Sequence, residues 1–404
     1  MENHLLPPLT TAMTQEVGLS AQRLDKLGEV LRAEVARGRL PGANVLISRR
    51  GRIAYFENFG RRDPGVDEPM QGNAIFRIYS MTKPIVSVAV MMLMEEGRLL
   101  LDEPASKYLP ELANLKVAVE SGAAGGGGAA TAFVPAARAI TIQDLLRHTS
   151  GLTYEFRGTG VVPKAYMDAR IYRRNQTNAD QVATLATLPL VAHPGTQWHY
   201  GRSTDVLGRL IEVIAGKSLG AFLQERILGP LGMVDSGFHV PASEHHRIAE
   251  PFPVDPDSGA KVSLLAVREP VVFESGGGGM VSTARDYARF LHMLFSGGTL
   301  GSVRLLGRKT VELMTADHLG TVTGASDLLM PGYGFGLGFA VRTSRGIAAS
   351  PGAVGQYYWG GQGGTTFWVD PAEQLYVILM MQAPGQRVYY RALLRNLVYA
   401  AITD

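Results

Sequence analysis

The 404-residue chain has no cysteine. That excludes disulfides, a thiol nucleophile and thiolate zinc sites together. It also lacks any apolar stretch approaching the ~20 residues that cross a bilayer. The opening Met1-Glu2-Asn3-His4-Leu5-Leu6-Pro7-Pro8 has neither the basic nor the apolar region of a secretory leader, so a cytoplasmic protein without a membrane partner is expected. Charge of one sign is scarce as well: 39 Lys plus Arg face 36 Asp plus Glu, and a net +3 argues against nucleic acid as a partner. The densest basic cluster, Arg170, Arg173 and Arg174, reads as a solvated surface. No His-Glu-x-x-His occurs, and the adjacent His245 and His246 cannot converge on one ion from a single strand or helix face. A surface loop is expected for that pair, and neither metal nor cofactor is implied.

What the chain does have is a globular composition, 46% apolar and 19% charged, in a length sufficient for two domains or one with a large insertion. Its most informative stretch is Phe76-Arg77-Ile78-Tyr79-Ser80-Met81-Thr82-Lys83-Pro84. Ser80 and Lys83 stand at i and i+3, which share a helix face. The apolar run from Ile85 to Met94 ends at Glu95-Glu96-Gly97, the pattern of a buried helix with a glycine stop. Pro84 is tolerated only in the first turn, so Ser80 falls at or just before the helix N-terminus. There the exposed N–H groups favour a developing negative charge. Burial is expected to push the lysine toward its neutral, basic form, and the pair points to a serine acyl-enzyme.

Two further stretches carry chemistry. In Trp198-His199-Tyr200-Gly201-Arg202 a tyrosine sits in a loop between helices, where a nearby ammonium would help its phenol act as a base. Trp359-Gly360-Gly361-Gln362 leads into a C-terminal hairpin, and glycines at the start of an edge strand let a substrate approach the backbone, with an N–H aimed at an oxyanion. Gly216-Lys217-Ser218-Leu219-Gly220 imitates a nucleophile elbow, but Val206, Leu207, Leu210, Ile211 and Ile214 before it have helical spacing. The elbow needs a strand there. Ser218 is therefore read as a helix N-cap.

Elsewhere, a helix capped by Ser20 carries Leu24, Leu27, Leu31 and Val35 on one face, and Ala43 to Ser48 and Ile53 to Phe59 form a hairpin. From about Asp102 to His239 the pattern is mostly helical, interrupted by a Gly/Ala-rich loop from Ser121 to Ala130. Strand signals return from Tyr333 to Phe339, Thr365 to Val369 and Leu375 to Met381, and Val388 to Ile402 is helical. The expected fold class is α/β of the α+β type: one antiparallel sheet built from both ends of the chain, flanked by helices, with a helical insertion. The expected division is an α/β domain of residues 1–98 and 245–404 and a mainly helical domain of residues 99–244.

Ser80-Met81-Thr82-Lys83, His148-Thr149-Ser150-Gly151-Leu152, Tyr200-Gly201-Arg202, Gly276-Gly277-Gly278-Gly279-Met280-Val281-Ser282-Thr283 and Trp359-Gly360-Gly361 occur in an order that resembles the class C β-lactamases and their relatives. Within that superfamily of penicillin-binding-protein-like serine hydrolases the chain looks most like the family VIII carboxylesterases. The resemblance implies a β-lactamase/transpeptidase-like fold with the site in a cleft between two domains. It implies Ser80 as nucleophile, Lys83 and Tyr200 as the proton-handling pair, the N–H groups of Ser80 and Gln362 as oxyanion hole, and Trp359, Gly360 and Gly361 beside the substrate. The implied substrate is a small-molecule ester, with an acyltransferase or a D-amino-acid peptidase as alternatives. Arg202 replaces the asparagine of the β-lactamases, and Trp359 replaces the lysine that meets a β-lactam carboxylate. β-Lactams are accordingly expected to be poor substrates.

Overall fold

In the computed structural model, which describes residues 9–66, 68–121, 130–322 and 328–404, Arg50 and Gly51 both take positive φ, 53° and 74°. Such a two-residue turn matches the twist of paired strands, and it folds β1 (Gly42–Arg49) back on β2 (Arg52–Gly60). The other edge of β1 is taken by a strand from the far end of the sequence, with Ala43 opposite Met381 and Arg49 opposite Leu375. The remaining strands are β3 (Tyr333–Phe335), β4 (Ala340–Arg342), β5 (Tyr357–Gly360), β6 (Thr366–Asp370) and β7 (Leu375–Met381). The sheet runs β2-β1-β7-β6-β5-β4-β3 with every pair antiparallel. Both ends of the chain build it, as expected.

Five helices position the site: α1 (Ala21–Ala36), α2 (Thr82–Glu95), α3 (Ser203–Ala215), α4 (Ala284–Phe295) and α5 (Arg387–Tyr399). Successive strand residues point to opposite faces of a sheet. Phe367 meets Tyr287 of α4 at 5.3 Å between ring centroids, whereas Trp368 stacks on Tyr399 of α5, so α4 and α5 cover opposite faces. α1 is capped by the Ser20 hydroxyl, which accepts from the Arg23 N–H, and it packs against α5 and β2. α2 is buried from Thr82 to Leu93 and packs against α3. No helix among the described residues is long and apolar enough to cross a membrane.

Several expectations change. The stretch between Asp102 and His239 contains helices, but also a hairpin pairing Lys116–Ser121 with Ala130–Pro135. Val117, Val119, Ala132 and Val134 alternate with other residues at period two, and that short signal sets the local structure. Most of the Gly/Ala-rich loop, residues 122–129, lies outside the described residues, as do residues 1–8. His245 and His246 belong to a short 3-10 helix, Ala242–Arg247, rather than a loop. Arg170 and Arg173 are exposed, but Nη2 of Arg174 is buried. Trp359 and Gly360 end an inner strand, because the β3–β4 hairpin extends the sheet beyond β5. Ser218 is the N-cap of Leu219–Leu223, its hydroxyl accepting from the Ala221 N–H.

Candidate active site

Pro84 is the third residue of α2, within the turn that tolerates it. Ahead of α2 lies a single 3-10 turn, Tyr79–Met81. Tyr79 enters it at φ 45°, a left-handed conformation that costs a non-glycine residue about 1–2 kcal/mol. The strain is held from both sides: the Ile78 N–H donates to the Met280 carbonyl at 3.0 Å, and the Tyr79 hydroxyl accepts from the Leu265 N–H at 2.7 Å. Ser80 is thereby held half-buried at the end of this turn, while Lys83 one turn on is fully buried.

Nζ of Lys83 donates to the Gly277 carbonyl at 2.6 Å, the Tyr154 hydroxyl at 3.0 Å and Ser80 Oγ at 3.3 Å. Three acceptors meet the three donors of an ammonium. Burial alone would lower this group's pKa, but the oxygens of Tyr154 and Tyr200 outweigh it and the net direction is upward. The direction is opposite to the one expected from burial alone. Tyr154 is pushed up to about 12, first by burial, with Lys83 pulling the other way.

Tyr200, delivered by the loop before α3, lays its ring 4.5 Å from the Lys83 ammonium. Its hydroxyl accepts from the Trp359 indole N–H at 3.1 Å. Around it, His148 and Trp359 pack at 4.8 and 5.2 Å between centroids. Burial, followed by the charge of Lys83, holds His148 well below its ordinary pKa, so it lines the wall as a neutral ring.

The loop that supplies Gly277 depends on its glycines. A Cβ on Gly277 would lie 2.8 Å from Asp205 Oδ2, and the Gly277 N–H donates to Asp205 Oδ1 at 2.9 Å. Asp205 in turn pairs with Arg202 at 3.3 Å, and Arg202 pairs with Glu155 at 2.6 Å. The Arg202 guanidinium also lies 4.9 Å from the Tyr154 ring centre. On the opposite side, a Cβ on Gly361 would meet the Ile78 carbonyl oxygen at 2.4 Å. This close approach sets the turn after β5, and with it Gln362, beside the strand that leads into Ser80.

A strained residue before a serine, a lysine one turn later and a buried tyrosine from a second element form a serine–lysine–tyrosine constellation. A family model described as Beta-lactamase matches residues 27–400. The chain belongs to the beta-lactamase family. Protein Rv1367c of Mycobacterium tuberculosis is 37% identical over 85% of this chain and 86% of its own length. Esterase EstB of Burkholderia gladioli is 31% identical over 96% of this chain and 98% of its own length. Among solved structures, EstCE1, described as a hydrolase with promiscuous acyltransferase activity, superimposes with a TM-score of 0.77 at 27% identity, covering 94% of this chain and 99% of its own.

Two residues singled out beside the motifs of this beta-lactamase-family chain are buried. Trp359 is buried, and its indole N–H donates to the Tyr200 hydroxyl. Arg202 is also buried, and its guanidinium is engaged by two carboxylates of its own chain. Tyr154 was not among the residues picked out from the sequence. It stands two positions after the His148–Leu152 motif, and only the return of that loop over α2 brings it to Lys83.

Proposed function

We propose that this chain is a serine carboxylesterase of the family VIII type, hydrolysing small acyl esters through an acyl-Ser80 intermediate. The observation that carries the reading is the Lys83 ammonium donating to Ser80 Oγ while lying against the Tyr200 ring. The Lys83/Tyr200 pair takes the serine proton through the Tyr200 oxygen, with Lys83 and the Trp359 N–H facing that oxygen as the proton moves. The oxygen of Ser80 attacks the ester carbonyl, and the oxyanion is received by the N–H groups of Ser80 and Gln362, each worth about 3 kcal/mol to the barrier. Tyr200 returns the proton to the leaving alcohol, and water then cleaves the acyl-serine. No cofactor takes part in this sequence.

The cleft lies between the α/β part, residues 1–98 and 245–404, and the helical part, residues 99–244, with Trp359, Gly360 and Gly361 along the substrate. With indole in place of an ammonium at Trp359, uncharged esters suit the site and β-lactams are poor substrates. A cytoplasmic location fits such a substrate. The similarity to EstCE1 supports a second reading on the same residues, in which an acceptor alcohol replaces water.

The test is a panel of acyl esters with one chromogenic cephalosporin, combined with mass spectrometry of the protein trapped by a phosphonate. Ser80→Ala abolishes turnover and the adduct while the fold persists, and Tyr200→Phe is severely impaired. Near wild-type hydrolysis by Ser80→Ala refutes the assignment. Product ratios against rising alcohol concentration separate hydrolysis from transfer.

A further inference from the structure

Arg391 lies on α5, one turn from Arg387 and one turn from Arg395. Its Nη2 donates to the Gly361 carbonyl at 2.6 Å and to the Thr365 carbonyl at 2.9 Å. No carboxylate pairs with it among the described residues, and its Nε is buried without a hydrogen-bond partner. Arg391 is half-buried, and desolvation, opposed by Tyr358 and joined by the like charge of Arg387 and Arg395, pushes its pKa down to about 10. A neutral amide side chain could tie two carbonyls together without confining a cation. The charge therefore calls for a reason beyond anchoring the turn.

The Gly361 carbonyl and the Gln362 N–H belong to one planar, conjugated peptide unit. A cation bonded to the carbonyl draws electron density through that unit and makes its N–H a stronger donor. We infer that Arg391 is a positioning residue for ester hydrolysis, which aims and polarises the Gln362 N–H by holding the Gly361 carbonyl. The inference rests on the proposed function, in which Gln362 receives the oxyanion. Arg391 touches neither the substrate nor the reacting atoms in this role.

The experiment compares wild type, Arg391→Met and Arg391→Lys on p-nitrophenyl butyrate and on the corresponding thionoester, whose sulfur is a weak acceptor in an oxyanion hole. Active enzyme is counted by phosphonate labelling of Ser80, so that partial misfolding does not enter the rates. In Arg391→Met the oxoester kcat falls about tenfold, less than the hundredfold or more that follows loss of a whole donor. KM changes by less than about twofold, because the interaction develops only in the transition state. The thionoester rate falls less, so the oxoester-to-thionoester ratio narrows, and Arg391→Lys recovers part of it. If Arg391→Met does not fold, Arg391→Lys carries the test, since an ammonium lacks the planar fork and its ratio should lie below that of wild type. An unchanged ratio per labelled site, or a rise in KM with kcat retained, overturns the inference while leaving the serine esterase reading intact. Absence of a Ser80 adduct in wild type removes that reading and this inference together.

Discussion

The indole N–H of Trp359 donates to the Tyr200 hydroxyl at 3.1 Å. Trp359 ends an inner strand of the sheet and Tyr200 precedes α3, so this bond ties the sheet to the loop that delivers Tyr200. Trp359→Phe removes the donor while keeping an aromatic ring at this position, although it also leaves part of the indole's volume unfilled. A hydrogen bond to a charged acceptor contributes about 1.5–3 kcal/mol, so kcat/KM for an ester, counted per phosphonate-labelled Ser80, should fall roughly tenfold or more. Full activity in this variant would count against Tyr200 as the proton acceptor.

Tyr154 accepts from Lys83 at 3.0 Å. Tyr154→Phe leaves the buried ammonium with one acceptor fewer, at a cost of about 1–3 kcal/mol. Acylation should slow by roughly tenfold, measured as the rate of phosphonate labelling of Ser80. Tyr200→Phe should be more damaging in the same assay, because that change deletes the hydroxyl proposed to take the serine proton.

Arg202 is held between Glu155 and Asp205, all three buried. Arg202→Asn recreates the β-lactamase residue at this position, but it leaves two carboxylates without their cation. Removing one partner of a buried pair destabilises by about 3–5 kcal/mol. The expected outcome is a lower urea midpoint and no gain in cephalosporin turnover. A stable variant that hydrolyses cephalosporin would show that Arg202 sets specificity directly.

Asp286, in the first turn of α4, is raised to about 6, first by burial and against the N–H of Asp235 and the hydroxyl of Ser236. The native state keeps this proton up to about pH 6, whereas the unfolded chain releases it near 3.8. The folded form therefore binds more protons across that interval, and its stability falls as pH rises from 4 through 6. At neutral pH the ionised carboxylate opposes folding by roughly 3 kcal/mol. Asp286→Asn should melt close to wild type at pH 4 and several degrees higher at pH 8, as calorimetry at the two pH values would show. A variant less stable at pH 8 would mean that its hydrogen bonds outweigh the burial.

Local signals account for much of what could be read in advance. The Ser80–Lys83 spacing, the Pro84 entry and Gly97 stop of α2, the Ser20 and Ser218 caps, and the strands on either side of Arg50-Gly51 each depend on residues within a few positions of one another. Helix and strand periodicity and capping chemistry act at that range. The short hairpin on either side of residues 122–129 escaped because two brief alternating runs beside a Gly/Ala-rich stretch give little periodicity to recognise.

From its sequence alone this protein was determined to be a beta-lactamase-like chain with one serine placed before a buried helix, and to be without any cysteine chemistry. What only the tertiary structure decided is electrostatic. Whether Lys83 is an amine or an ammonium depends on oxygens from Tyr154 and Gly277 and on the ring of Tyr200, which are 71, 194 and 117 residues away along the chain. Burial by itself lowers the pKa of Lys83, and the groups that folding gathers around the amine act in the opposite direction.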